Sequence, residues 1–319
     1  MAEQEQFIPV DLSYKLDCFH DLTGRVAIIT GGSRGIGRAC ALKLASLGCN
    51  IVIAAKSTEP KPNLPGTIYT VAEECIKLGV RAIGVKIDMR DGKSLERCAE
   101  ETVKEFGRID ILINNASALW WQEILDTPEK RYDMIHSINA RGTFLMTRAC
   151  LPHMKKNNFG RVITMSPPIA RKGFKGMTAY NISKMGMTMV AMGVAEEYAG
   201  QNITGNSLWP ATVVESYASI NFKLGDRSIW RKAEIIADAA VGIICEDGSF
   251  TGHMLIDDEY LRLTGLKDED FVRYRCDPEV EPPRALASHE WGNEEQVIRR
   301  GSVTRLESDI EKSKGFAKL

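Results

Sequence analysis

The chain has 319 residues, 44% of them hydrophobic and 26% charged, and its 41 basic residues against 42 acidic ones leave a formal charge of -1. So even a balance offers no field to hold a polyanion, which excludes nucleic acid as a partner, and no apolar run reaches the roughly 18 residues that a membrane span needs. Eight cysteines without a C-x-x-C pair and five histidines without i, i+4 spacing read as reduced thiols and no metal site. The acidic start at residues 1–6 lacks the basic and apolar regions of a secretory signal and the arginines of a transit peptide.

Length alone allows two domains, but α/β sheets commonly exceed 200 residues as one unit. The expected organisation is an N-terminal extension over 1–23, one domain over 24–265 and a charged tail over 266–319. Within the domain, Val26 opens a strand over 26–30, a glycine-rich turn follows, and a helix is predicted over 35–47. A second strand covers 50–55. Ile68, Val71, Ala72, Cys75 and Ile76 recur at helical spacing, with Gly79 as the stop. The rhythm repeats as strand 82–87, helix 94–106, strand 109–113, one long helix over 128–156, strand 161–165, helix 179–198 and strand 203–208. After Pro210 the pattern loosens, as a lid-like segment would, then returns as helix 232–245 and strand 253–256. Pro278, Pro282 and Pro283 in dense charge predict a loosely packed tail beyond 265. Apolar strands alternating with helices predict an α/β fold of the doubly wound Rossmann type, with helices on both faces of a parallel sheet.

Thr30-Gly-Gly-Ser-Arg-Gly-Ile-Gly37 lies between the first strand and the first helix. Gly31, Gly35 and Gly37 permit a sharp turn and close backbone approach, and the helix start presents N–H groups to a pyrophosphate. Ser33, Arg34 and Ile36 complete this loop. Where an NAD enzyme places a carboxylate on the ribose, at the end of the second strand, this chain has Lys56. A lysine there, with Arg34 nearby, attracts a 2′-phosphate, so NADP is the expected cofactor; the alternative is a pair of solvated cations. Asp88 ends the third strand, where it would accept from the adenine amine or cap a helix.

Tyr180 and Lys184 stand four apart on one helix face. A phenol is a poor base at neutral pH, but an adjacent ammonium and an oxidised nicotinamide favour the phenolate, so Tyr180 is expected to exchange a proton with a substrate hydroxyl while hydride moves.

The glycine loop, Asn114-Asn-Ala-Ser117 and Tyr180-Asn-Ile-Ser-Lys184 together resemble the short-chain dehydrogenase/reductase superfamily over residues 24–260. The resemblance implies nucleotide contacts from Asn115, Tyr180 and Lys184, the lysine holding the nicotinamide ribose. Asn139 matches an asparagine that anchors a water relay to the lysine; a helix kink is the other role open to it. One position departs from the pattern. The substrate-orienting serine expected 13 residues before the tyrosine is Pro167, so either Ser166 substitutes for it or a different donor helps Tyr180.

Ala54-Ala-Lys56, Leu64-Pro-Gly-Thr-Ile-Tyr-Thr70, Asn114-Asn-Ala-Ser-Ala118, Ser166-Pro-Pro168, Leu208-Trp-Pro210, Ile235-Ile-Ala-Asp-Ala-Ala240 and Ser249-Phe-Thr-Gly252 resemble a branch of that superfamily whose longer members add a sterol-carrier domain, for which the remaining 54 residues are expected to be too few. Trp120 and Trp121 stand where the family builds its substrate mouth, as an apolar wall or as loop packing. Met185, Met187, Met189 and Met192 fit core or subunit contacts better than substrate ligands. The superfamily implies a homo-oligomer formed through the helices near 130–156 and 180–198. The ending Ala317-Lys318-Leu319 is a variant of the S-K-L peroxisomal address and implies an import receptor as partner, with the cytoplasm as the other location. The expected activity is NADP-dependent interconversion of a hydroxyl and a carbonyl on an apolar, lipid-derived substrate. Two rivals are an NADP-binding sensor or scaffold without turnover, motivated by Pro167, and a reductase of activated double bonds.

Overall fold

The computed structural model describes residues 8–61, 64–168 and 176–286. In chain order the elements are β1 Val26–Thr30, α1 Gly35–Ser46, β2 Asn50–Ala55, α2 Ile68–Lys77, β3 Ala82–Lys86, α3 Gly92–Phe106, β4 Ile111–Asn114, α4 Glu129–Ile138, α5 Ala140–Lys156, β5 Gly160–Met165, α6 Thr178–Glu197, β6 Ile203–Trp209, α7 Tyr217–Asn221, α8 Glu234–Cys245, β7 Met254–Ile256 and α9 Asp257–Leu263. The strands form one sheet in the order β3-β2-β1-β4-β5-β6-β7, and every pairing in it is parallel.

The alternation of a strand sends neighbouring side chains to opposite faces. On β1, Ala27 and Ile29 join a core layer with α1, α2 and α8, whereas Val26 and Ile28 join a second layer with α3 and α5. Both faces of the sheet are therefore covered, which is why its strands read as unbroken apolar runs. The chain order reverses between β1 and β4. At such a switch point the loops leaving the carboxyl ends of the two strands diverge and open a crevice.

Two elements differ from the sequence expectation. The single helix expected over 128–156 is two helices, α4 and α5, that meet at Asn139, whose backbone has φ -74° and ψ -77°. The periodicity survives such a break because the chain stays helical on either side. The fold also continues past residue 265. A 3-10 turn at Asp268–Tyr274 buries Phe271 and Tyr274 in the core, and the Tyr274 hydroxyl donates to buried Asp238 at 2.8 Å. Two aromatics within a charged stretch carry this packing, too few to show as a period. The N-terminal segment is packed as well: Leu16 and Leu22 are buried, and the Ile8 carbonyl accepts from Arg38 of α1 at 2.8 Å.

Candidate active site

The crevice is a cavity of about 640 Å³ that runs from the glycine loop, past the β2 and β3 ends, to Tyr180 and Trp209. At its nucleotide end, Gly31 and Gly35 have φ values of +67° and +55°, which side chains with a Cβ seldom adopt. A Cβ on Gly37 would stand 2.6 Å from Asn115 Nδ2 and 2.7 Å from the Gly31 carbonyl, so this position has no room for any other residue. Asn115 in turn donates to the carbonyls of Thr30 and Gly31, at 2.9 and 3.2 Å. The Thr30 hydroxyl accepts from the backbone N–H groups of Asn115 and Ala116, at 3.0 Å each. Thr30 thus stitches the β1 and β4 loops together, a role that motif spacing alone did not assign to it.

Ser33, Arg34, Gly35 and Ile36 line the cavity at the start of α1. Arg34 occupies the N-cap and offers no acceptor to the first-turn N–H groups, which leaves that positive end available to an anion. The cradle therefore fits a dinucleotide pyrophosphate. Arg34 is also engaged elsewhere: it donates to the carbonyls of Pro65 and Gly66 at 3.2 and 2.8 Å and to Ser57 Oγ at 3.1 Å. It ties the loop after β2 to the glycine loop, and burial pulls its pKa down. Lys56 is exposed at the cavity rim. Asp88 also lines the cavity, and hydrogen bonds from Arg90 hold its carboxyl down to about 2, so it is an ionised acceptor. The stretch after Pro210 roofs this end through Val213, Val214, Ser216 and Tyr217.

At the other end, Tyr180 and Lys184 are 6% and 3% exposed and both line the cavity. Lys184 Nζ lies 5.8 Å from the Tyr180 ring centroid and 5.4 Å from that of Trp209, and it donates to the Met165 carbonyl at 2.8 Å. The pair is adjacent, as its spacing predicted, and in the protein alone burial sets its electrostatics. Burial dominates both groups, raising the phenol pKa, with the Ser117 side chain pulling weakly the other way, and lowering the ammonium to about 7. In the protein alone the phenol is a neutral proton donor rather than an acidified base.

Ser166 and Asn139 each had two roles open. The Ser166 hydroxyl is buried, accepts from Thr188 Oγ1 at 2.9 Å and sits 3.5 Å from the Thr164 carbonyl; among the described residues it is not part of the cavity lining. The two prolines that follow carry no backbone N–H, and the hydroxyl is turned into the β5–α6 contact. Asn139 stands at the break between α4 and α5, the kink left open for it. Its amide donates to the Ala118 carbonyl at 3.0 Å and to Ser183 Oγ at 2.9 Å, and its oxygen accepts from Ala118 N at 2.7 Å. It braces the loop after β4 against α6. The tryptophan pair divides: Trp121 lines the cavity edge-on to Tyr180 at 6.2 Å, while Trp120 packs with Ile135 and Ala179. Met187 is buried, Met189 is 56% exposed, and neither lines the cavity. Met177, Trp209 and Leu286 complete the wall around Tyr180. Trp209 falls in one of the stretches that carry the branch resemblance, whereas no motif marks Met177 or Leu286, which only convergence in space reveals.

A short chain dehydrogenase family model matches residues 25–221. The chain belongs to this family. Its members are oxidoreductases that bind NAD or NADP. The sequence is 40% identical over 291 residues to hydroxysteroid dehydrogenase-like protein 2 of Homo sapiens, covering 90% of this chain and 69% of that protein. The protein of the same name from Rattus norvegicus is 46% identical over 252 residues, covering 78% of this chain and 48% of the relative. Among solved structures, a short chain dehydrogenase from Mycobacterium thermoresistibile superposes with a TM-score of 0.77 at 40% identity, covering 82% of this chain and 94% of that one. The expected doubly wound fold is confirmed by these likenesses, and so is the oxidoreductase class.

Proposed function

We propose that this protein is an NADP-dependent reductase that interconverts a carbonyl and a hydroxyl on an apolar, lipid-derived substrate. The observation that carries the reading is the Tyr180–Lys184 pair, buried at the apolar end of a cavity whose other end is a glycine cradle. Bound NADPH would supply the hydride. The phenol, kept neutral by burial, donates the proton that the carbonyl oxygen takes up as it becomes a hydroxyl. Lys184, fixed on the Met165 carbonyl, stands ready to replace the lost proton and to hold a ribose hydroxyl. Leu119, Trp121, Met177, Trp209 and Leu286 around the phenol exclude water and favour a substrate with a bulky apolar group. Lys56 at the rim and Asp88 beside it support the preference for NADP: an exposed ammonium pairs with a 2′-phosphate while the carboxylate accepts from adenine.

The test is NADPH oxidation against a panel of alicyclic and long-chain ketones, run in parallel with NADH. Turnover with NADPH on apolar ketones supports the reading, and absence of turnover on the whole panel removes it. Exposed Phe144, Ile182 and Met189 on α5 and α6 support a homo-oligomer, which sedimentation would test. We further place the protein in peroxisomes on the strength of Ala317-Lys318-Leu319, which lies outside the described residues. A protein with this ending that stays outside peroxisomes would contradict that location, and import that persists after deletion of the tripeptide would remove it as the address.

A further inference from the structure

The chain beyond the sequence motifs returns to the cavity by a charged strap. Cys276 N donates to the Trp230 carbonyl at 3.0 Å, and the strap meets Ala211, whose carbonyl accepts from Leu286 N at 2.9 Å. Between these anchors lies a clamp of ion pairs. Arg231 is 2% exposed and pairs with Glu281 at 2.8 Å and with Asp258 at 3.5 Å. Glu281 also takes Arg275, and Arg284 pairs with Asp258 and Glu259, at 3.0 and 2.6 Å. The receiving surface is itself fixed, because Ala211 N donates to buried Asp257 at 2.8 Å, and Arg231 bonds through its backbone to Val213 and Glu215 at 3.0 and 2.8 Å.

All of this positions one apolar side chain. Leu286 packs with Tyr180 and Trp209 and lines the cavity. A carbonyl whose oxygen meets the Tyr180 hydroxyl must send its substituents along the walls beside that ring, and Leu286 is one of those walls. We propose that Leu286 contacts the substrate and limits the size of its apolar group, with Arg284 as the positioning residue that holds the strap in place. The proposal deepens the carbonyl-reductase reading and rests on it for the placement of the substrate oxygen.

Two assays separate the two ideas. The first measures KM and kcat for cyclohexanone and for the bulkier 2-tetralone with NADPH. The second measures fluorescence binding of 6-propionyl-2-(dimethylamino)naphthalene, an apolar aryl ketone, to the full-length protein with NADPH present, and needs no turnover. Leu286→Trp is expected to raise the 2-tetralone to cyclohexanone KM ratio, and the Kd of the aryl ketone, by about tenfold or more. Leu286→Ala, which removes the wall without adding bulk, lowers that ratio. Arg284→Gln shifts the ratio by about threefold with kcat retained, and Arg284→Lys restores it. NADPH affinity and Tm report that each variant is folded. If both Leu286 variants leave the ratio and the Kd within about twofold of the parent, the proposal is overturned, and the same holds if the parent does not bind the aryl ketone. If the parent binds the probe in a Leu286-dependent way yet reduces no ketone, the wall stands and the carbonyl-reductase reading falls.

Discussion

The two ends of the cavity are built by different means. The nucleotide end is contiguous: Thr30, Gly31, Arg34, Gly35 and Gly37 lie within eight consecutive residues, and their work is done largely by backbone geometry and an uncapped helix start. The substrate end is assembled from side chains far apart in the chain, at Trp121, Met177, Tyr180, Trp209 and Leu286. The first needs a local conformation that few residue types can adopt, whereas the second needs only apolar bulk at the right place. One end therefore leaves a legible motif, and the other leaves almost none.

The largest effect expected from breaking this contrast lies at Tyr180. Tyr180→Phe keeps the ring and its packing on Trp121 but deletes the proton donor, so kcat should fall by about 10²–10⁴-fold while NADPH binding persists. Steady-state kinetics alongside nucleotide titration will show the split. Loss of both together would mean that the phenol holds the fold rather than the chemistry.

A smaller effect is expected at the nucleotide rim. Lys56→Glu replaces an attractive ammonium with a repulsive carboxylate, and KM for NADPH should rise roughly ten- to a hundredfold with KM for NADH little altered, in keeping with the strength of charge-assisted hydrogen bonds. Equal changes for both cofactors would remove Lys56 from the 2′-phosphate site and return Arg34 to consideration. The arginine is the less direct candidate, because it already donates to the carbonyls of Pro65 and Gly66.

The smallest effect concerns the platform beneath the strap. Asp257 is fully buried, accepts from Ala211 N and Asp258 N, and among the described residues its Oδ2 has no partner. Burial, reinforced by the charge on Asp258, raises its pKa from 3.8 to about 7. Between those values the folded protein holds a proton that the unfolded chain has lost, so this carboxyl costs stability as pH rises through the window and costs most above it. Asp257→Asn keeps the acceptor oxygen and removes the charge, and should stabilise the protein by about 1–2 kcal/mol at pH 8, with the gain vanishing near pH 4. Thermal melts at the two pH values measure this, and a gain of equal size at both would rule out the titration.

Much of the fold was legible from Val26 to Ile256, because β-branched runs and helical spacing each report one physical period. Asn139 shows the limit of that reading. The chain on both sides of it is helical, so spacing left a kink there as one of two open roles, and the backbone at Asn139 with its bonds to Ala118 and Ser183 shows where the helix breaks. Tyr180 and Lys184 could be paired from spacing, but the sign of their electrostatics could not, since burial by Trp121 and Trp209 comes from other segments. Ser166 illustrates the same point at β5: proximity in sequence suggested one candidate donor, and its hydroxyl faces Thr188, twenty-two residues away, which donates to it. Phe271, Tyr274 and Leu286 escaped notice because charged neighbours masked their apolar contribution.

The central claim is that Tyr180 completes a hydride transfer at this cavity. Its most direct measurement is mass spectrometry of the alcohol formed from 2-tetralone and NADPH carrying deuterium at the transferable position, with the parent protein and Tyr180→Phe run in parallel. The account predicts deuterium on the carbinol carbon with the parent and almost none with the variant in the same time. Equal labelling by both proteins, or an unlabelled alcohol from the parent, would contradict it.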